Sequence, residues 1–175
     1  MKRILFLAGC AALTSVCAQA ADELPLNLAV EAAQTAIDTC KPQGRIITVM
    51  VVDKDAVPRV ILRDTAPGRG VAMARRKAYT ALKTGMSSED FVKSLGDKAP
   101  KAPKPTTADP HPELPGVNGD KEMVAAGGAL LIKMGGQVVG AISVSGSHWE
   151  NGVSGGIFDE NCAKAGLDKI ASRMK

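Results

Sequence analysis

The chain has 175 residues, 22 basic and 18 acidic side chains, and a formal charge of +4. That length suits one domain with a core of its own. The small charge excess and the near absence of aromatic residues (one Trp, one Tyr, three Phe) argue against a nucleic-acid partner, which needs a cationic footprint or stacking platforms.

Residues 1–20 read as a secretory signal peptide. Lys2-Arg3 is the basic start, Ile4 to Val16 the apolar stretch, and Ala18-Gln19-Ala20 the small-x-small cleavage site. Cleavage would begin the mature chain, a single domain over 21–175, at Ala21. It would remove Lys2 and Arg3 and lower the formal charge from +4 to +2. The expected location is the periplasm or the exterior. No later segment has the length and apolarity of a membrane span.

Leu26 to Cys40 predicts a helix, with Ala29, Ala32, Ala33, Ala36, Ile37 and Cys40 on one apolar stripe. Asn27 is the expected N-cap, and Lys41-Pro42-Gln43-Gly44 the stop. Arg45 to Val52 is a strand rich in β-formers. Asp53 to Ala56 is a turn, and Val57 to Arg63 a return strand whose Pro58 places it at an edge or bulge. Gly70 to Thr84 is a second helix, its buried stripe formed by Val71, Ala74, Ala78, Ala81 and Leu82. At 100° per residue, Arg76 and Lys83 point away from that stripe and Lys77 lies at its boundary. Arg75-Arg76-Lys77 then reads either as a solvated face or as a source of cations for an anionic ligand.

Ser87 to Leu95 is a short helix with a capping-box-like Ser87 and Asp90. Asp97 to Pro115 holds six prolines among nineteen residues and reads as an extended loop. Lys121 to Ala125 is expected to be a short strand. Ala129–Lys133 and Gln137–Ser145 form two strands joined through Met134-Gly135-Gly136, where glycine tolerates the positive φ of a tight turn. Gly127-Gly128 just before them marks a bulge or a close approach by ligand or backbone. A Gly-rich loop, 147–157, leads to a last helix that Asp159 is expected to cap. Hairpins and helices without βαβ repetition indicate an α+β domain.

Candidate chemistry is sparse. After cleavage only Cys40 and Cys162 remain, each on an apolar helix stripe. An oxidising compartment and an even count allow a disulfide, and two buried thiols are the alternative. No Cys-x-x-Cys exists, which excludes a zinc ribbon and a covalent c-type haem. His111 and His148 are the only histidines, both in loops. Each is either a solvated side chain or an axial ligand to haem iron. Gly152-Val153-Ser154-Gly155-Gly156 has the spacing of a nucleophile elbow but lacks the parallel-sheet setting that motif requires.

The stretch Gly127-Gly128-Ala129-Leu130-Leu131-Ile132-Lys133-Met134-Gly135-Gly136-Gln137-Val138-Val139-Gly140-Ala141-Ile142-Ser143-Val144-Ser145-Gly146, followed by Asp159-Glu160, resembles the GlcG/HbpS family of haem-binding proteins and corrinoid adenosyltransferase C-terminal domains. Val49 to Asp53, Arg63-Asp64, Lys77-Ala78-Tyr79-Thr80-Ala81 and Leu114-Pro115-Gly116 resemble further segments of that family, in order. The chain departs from the pattern at Asp53 to Val57, where glycine is usual, and in the longer loop from Ser147 to Gly156. The resemblance implies a profilin-like three-layer α/β/α fold with a five-stranded antiparallel sheet, homo-oligomers, and haem b or another small anionic ligand. Arg63 and Lys77 would then meet carboxylates, Gly127 and Gly128 would allow close approach, and Trp149 would cover a porphyrin edge. His148, then His111, are the candidate iron ligands, with Tyr79 next. An enzyme acting on a small carboxylate and a structural oligomer are the competing readings.

Overall fold

The computed structural model describes residues 23–148 and 150–174. The expected signal peptide and Trp149 lie outside the described residues.

The elements are α1 (Leu26–Cys40), β1 (Thr48–Asp53), β2 (Pro58–Arg63), α2 (Arg69–Thr84), α3 (Ser88–Leu95), β3 (Ala129–Met134), β4 (Gln137–Ser145) and α4 (Gly155–Ile170). The four strands form one antiparallel sheet in the order β2-β1-β4-β3. Because strand side chains alternate, β1 divides its residues between two cores. Val49 and Val51 join Val60, Ile132, Ile142 and Val144 beneath α1 and α4. Met50 and Val52 join Ala141 beneath Ala74 and Ala78 of α2. The sheet therefore lies between helices, and its central strands carry apolar residues on both faces. No helix among the described residues is long and apolar enough to cross a membrane.

Among the described residues the sheet has four strands, not five. Residues 121–125 form no strand because their backbone is satisfied by side chains of α2: the Val124 amide donates to Thr80 Oγ1 at 2.9 Å, and the Met123 carbonyl accepts from Arg76 Nη2 at 3.0 Å. With those groups paired, the segment needs no neighbouring strand.

The two hairpins follow their turn residues. Gly135 and Gly136 sit at φ +54° and +84°, and Met134 pairs with Gln137 across them, as a two-residue turn with both φ positive demands. In the first hairpin, Asp53 Oδ1 accepts the amides of Asp55 and Val57, each at 2.9 Å. Pro58 sits on the edge strand at a register shift, as its missing N–H requires.

Helix starts differ from expectation at both ends of the chain. Pro25 is the N-cap of α1, its carbonyl accepting from Leu28 and Ala29, and Asn27 lies within the first turn. Ser154 caps α4, five residues before Asp159, which turns inward instead. Ser87 caps α3 and accepts from the Asp90 amide, as its spacing predicts.

Cys40 and Cys162 are joined as a disulfide between α1 and α4, with Cα atoms 5.9 Å apart. The pairing holds together the two helices that cover one face of the sheet.

Candidate functional site

Register brings several of the candidate residues to one end of the sheet. Thr48, the first residue of β1, pairs with Arg63 on one side and Ser145 on the other. Ser147 and His148 follow directly from the end of β4.

Lys77 lies on the sheet side of α2 and is 4 % exposed. Its Nζ donates to Asp159 Oδ2 at 2.7 Å and to the Val144 carbonyl at 3.0 Å. Asp159 is 1 % exposed, and its other oxygen accepts the Ser147 amide at 3.0 Å. A buried ammonium and a buried carboxylate thus cancel each other's charge, and each has a further backbone partner. Together they fix the beginning of the β4–α4 loop.

Gly128 makes this arrangement possible. It adopts φ +123°, and a Cβ there would lie 2.7 Å from both Asp159 Cβ and the Val144 carbonyl oxygen, and 2.9 Å from Lys77 Nζ. At Gly127 a Cβ would lie 2.0 Å from Glu89 Oε2. Both glycines serve close approach, and what approaches is the protein's own side chains and backbone. Gly155 is similarly packed, a Cβ there falling 2.3 Å from the Ser147 carbonyl.

Arg75, Arg76 and Lys77 have three different surroundings. Arg75 is exposed and pairs with Glu122. Arg76, expected to face solvent, is only 5 % exposed: it donates to the carbonyls of Leu114 at 2.7 Å, Pro115 at 3.2 Å and Met123 at 3.0 Å. The segment from 114 to 124 folds over this face of α2 and encloses it.

Around the buried pair lies an open rim. Arg63 is exposed, with Nη1 donating to the Ala66 carbonyl at 2.9 Å. Arg69 opens α2 and is also exposed. His148 is exposed at the end of β4, and Ile46 and Ile61 are exposed large apolar residues near the first and third positions of β1. Arg45 lies over the Phe158 ring at 3.7 Å and pairs with Glu150 at 3.1 Å, which ties the far side of the loop to α4.

Tyr79 and His111 are placed elsewhere. Tyr79 donates to Asp120 Oδ2 at 3.0 Å. With Lys54, Asp55, Ala56, Leu82 and Lys83 it lines a cavity of about 250 Å³ where α2 ends against the β1–β2 turn. The Glu122 amide, then the Tyr79 hydroxyl, hold the Asp120 carboxyl below its usual range, aided by the Lys83 charge. His111 is exposed in the Pro-rich loop, its amide donating to Asp109 Oδ1 at 3.2 Å. Among the described residues no group of three or more His, Cys, Asp or Glu side chains is placed to hold a metal ion.

The buried partnerships of Asp159 and Arg76 went unread in the sequence, which offered Asp159 as a helix cap and Arg76 as a solvent-facing cation. Asp159 had a signal: it precedes Cys162, Ala163, Gly166 and Ile170 on the buried stripe of α4. An acid on such a stripe calls for a buried cation, and Lys77, at the edge of its own stripe, was available. Arg76 had no such signal, because its partners are backbone carbonyls about 40 residues away.

The fold has solved counterparts. A double mutant of Streptomyces reticuli HbpS superposes with a TM-score of 0.65 at 26% identity, covering 95% of this chain and 99% of that one. Another HbpS structure gives 0.64 at 28% identity over 85% and 90%. The PduOC:heme complex shares the fold alone, with 0.64 at 16% identity over 83% and 94%. No curated protein matches the sequence. The family model described as haem-degrading protein, HbpS-like, matches residues 24–168, so nearly every described residue lies within it. The chain belongs to the HbpS-like family.

Proposed function

We propose that this protein is exported and binds haem b without covalent attachment, at the end of the sheet where β4 runs into α4. Membership of the HbpS-like family carries the reading, and the haem complex of PduOC, a protein of the same fold, supports it. The residues present suit the group. His148 offers an imidazole to iron, Arg63 and Arg69 offer guanidiniums to propionates, and Ile46 and Ile61 offer apolar surface to a porphyrin face. Bound iron would supply the redox and ligand chemistry. The chain's own part is to hold the loop in place through Asp159 and to present these side chains on a rigid sheet end. Lys77 is committed to Asp159 and Val144, so the carboxylate-binding role falls to the arginines.

Haemin titration tests the reading. A Soret band should rise and saturate, and His148→Ala should weaken binding at least tenfold, about 1.4 kcal/mol. His111→Ala should bind as the parent does. No Soret change on haemin addition would end the haem reading. The family's description as haem-degrading favours turnover as the second reading. It would be seen as progressive loss of that Soret band when a reductant and oxygen are supplied. Export is tested separately: N-terminal sequencing of the exported fraction should begin at Ala21, and retention of Met1 would contradict it.

A further inference from the structure

After α3 the chain carries lysines that no other part of the fold uses. Lys98, Lys101 and Lys104 recur at every third position, and no acid stands between residues 98 and 108. All three are exposed, and no hydrogen bond or ion pair from the described residues reaches their ammonium groups. Elsewhere the charges nearly cancel. With Lys2 and Arg3 set aside, basic side chains outnumber acidic ones by only two, so the chain without these three lysines is slightly acidic.

The backbone beneath them is stiff. Pro100, Pro103 and Pro105 have φ held at about −65°, and a following proline keeps Ala99, Ala102 and Lys104 out of the helical region. Ala99 sits at φ −58° and ψ 128°, within the polyproline II range. Among the described residues no hydrogen bond involves 100–105, as suits a conformation that makes none internally. The run leaves the 3₁₀ turn Gly96–Lys98 and ends where Thr106 and Asp109 close on each other. There the Thr106 amide donates to the Asp109 carbonyl at 2.8 Å and the Asp109 amide to Thr106 Oγ1 at 2.9 Å. Polyproline II repeats every three residues, so Lys101 and Lys104 share one edge about 9 Å apart, with Lys98 at its foot. That separation is about one Debye length at physiological salt, so each ammonium acts nearly alone.

We propose that residues 98–105 are a docking rod for a linear phosphate polymer, whose successive phosphates meet successive lysines. Lysine is a point charge to phosphate and asks for no fixed angle. A chain of repeated anions engages all three lysines, each contact after the first being made at high effective concentration, whereas a single phosphate engages one. The prolines have already ordered the rod, so little entropy is lost on docking. The run holds no aromatic side chain, so nothing in it reads bases. It also lacks large apolar side chains and has fewer cations than the roughly four to eight that mark a segment bound to anionic lipid, so a bilayer suits it less. The proposal does not depend on haem.

The test is binding of end-labelled long-chain polyphosphate to the purified protein, followed by fluorescence anisotropy at several salt concentrations. The logarithm of the binding constant should fall against that of the salt concentration with a slope of about −2, as three contacts to a single-stranded polyanion predict. Lys98→Gln, Lys101→Gln and Lys104→Gln together should weaken binding at least tenfold and flatten the slope. Lys133→Gln, which removes an exposed lysine from β3, should change little. Pro100→Gly with Pro103→Gly keeps every charge but loosens the rod, and should weaken binding several-fold. Circular dichroism should show the parent's fold in each. Absence of binding overturns the proposal, as does binding that survives the triple change or that the two glycines leave at the parent's strength. Orthophosphate bound as tightly as the polymer also overturns it, and so does capture by phosphatidylglycerol vesicles without binding of the polymer.

Discussion

Lys77 and Asp159 are a pair whose value lies in being complete. Each is removed from water, and each alone would be an uncompensated charge beside the sheet. Lys77→Met should cost roughly 3–5 kcal/mol of unfolding free energy, as loss of one member of a buried pair does. Adding Asp159→Leu to that variant should restore much of the loss, because the orphaned carboxylate goes too. Urea unfolding of the two variants checks both, and a double variant no more stable than the single one would refute the charge argument. Gly128→Ala fails for a different reason. It combines a φ of +123°, which L side chains rarely adopt, with overlap at Asp159 and Val144. We expect a loss of about 1–3 kcal/mol from backbone strain, before the overlap is counted. Gly135→Ala is the control: its φ is also positive but nothing lies within 4 Å of the added Cβ, so only the strain is lost.

Among the elements, the stretch after α3 depends most on a single side chain. Arg76 donates to three carbonyls, those of residues 114, 115 and 123, and Thr80 Oγ1 accepts from the amide of residue 124. Arg76→Ala should therefore release this segment from α2, costing on the order of 3 kcal/mol from lost charged hydrogen bonds. Limited proteolysis should show faster cutting between residues 97 and 124, with the sheet intact by circular dichroism. The same segment marks where sequence reading reaches its limit. The helices α1, α2 and α3 and both hairpins were legible because their signals are local: apolar periodicity, a Ser cap, glycines at a two-residue turn. Lys121 to Ala125 looked like a strand because apolar residues gather there. Its backbone is satisfied by side chains of α2, and no local pattern encodes that. The start of α4 was missed because Gly155-Gly156 is a poor helix former, needed there because Gly155 packs against Ser147 and Gly156 against Gly127. Of the candidate site, Arg63, Lys77, Gly127, Gly128 and His148 were identified and come to one end of the sheet. Their partners Asp159 and Glu89 required the folded chain.

At the scale of the whole molecule, the disulfide is the long-range constraint. It closes a loop across 122 positions of sequence, and the chain-entropy model gives a loop of this length roughly 4–5 kcal/mol of stabilisation. Titration of the denatured, non-reduced protein should find no free thiol at Cys40 or Cys162. Reduction should lower the urea midpoint by a corresponding amount, and an unchanged midpoint would show that the α1–α4 contact suffices without it.

That bond also changes what a broken backbone means. All four strands, α2, α3 and the exposed Pro-rich stretch lie between the two cysteines, so most of the described fold is one covalent ring, with α1 before it and the second half of α4 after it. A protease that cuts near His111 opens the ring without dividing the molecule. The nicked protein should run as one band on a gel without reductant and as two with it. Both pieces should stay in register, since β1 and β2 lie on one side of the cut, β3 and β4 on the other, and the β1–β4 ladder joins them. For the exported protein proposed above, which would meet proteases without refolding machinery, the ring would make the Pro-rich loop the least costly place to be cut.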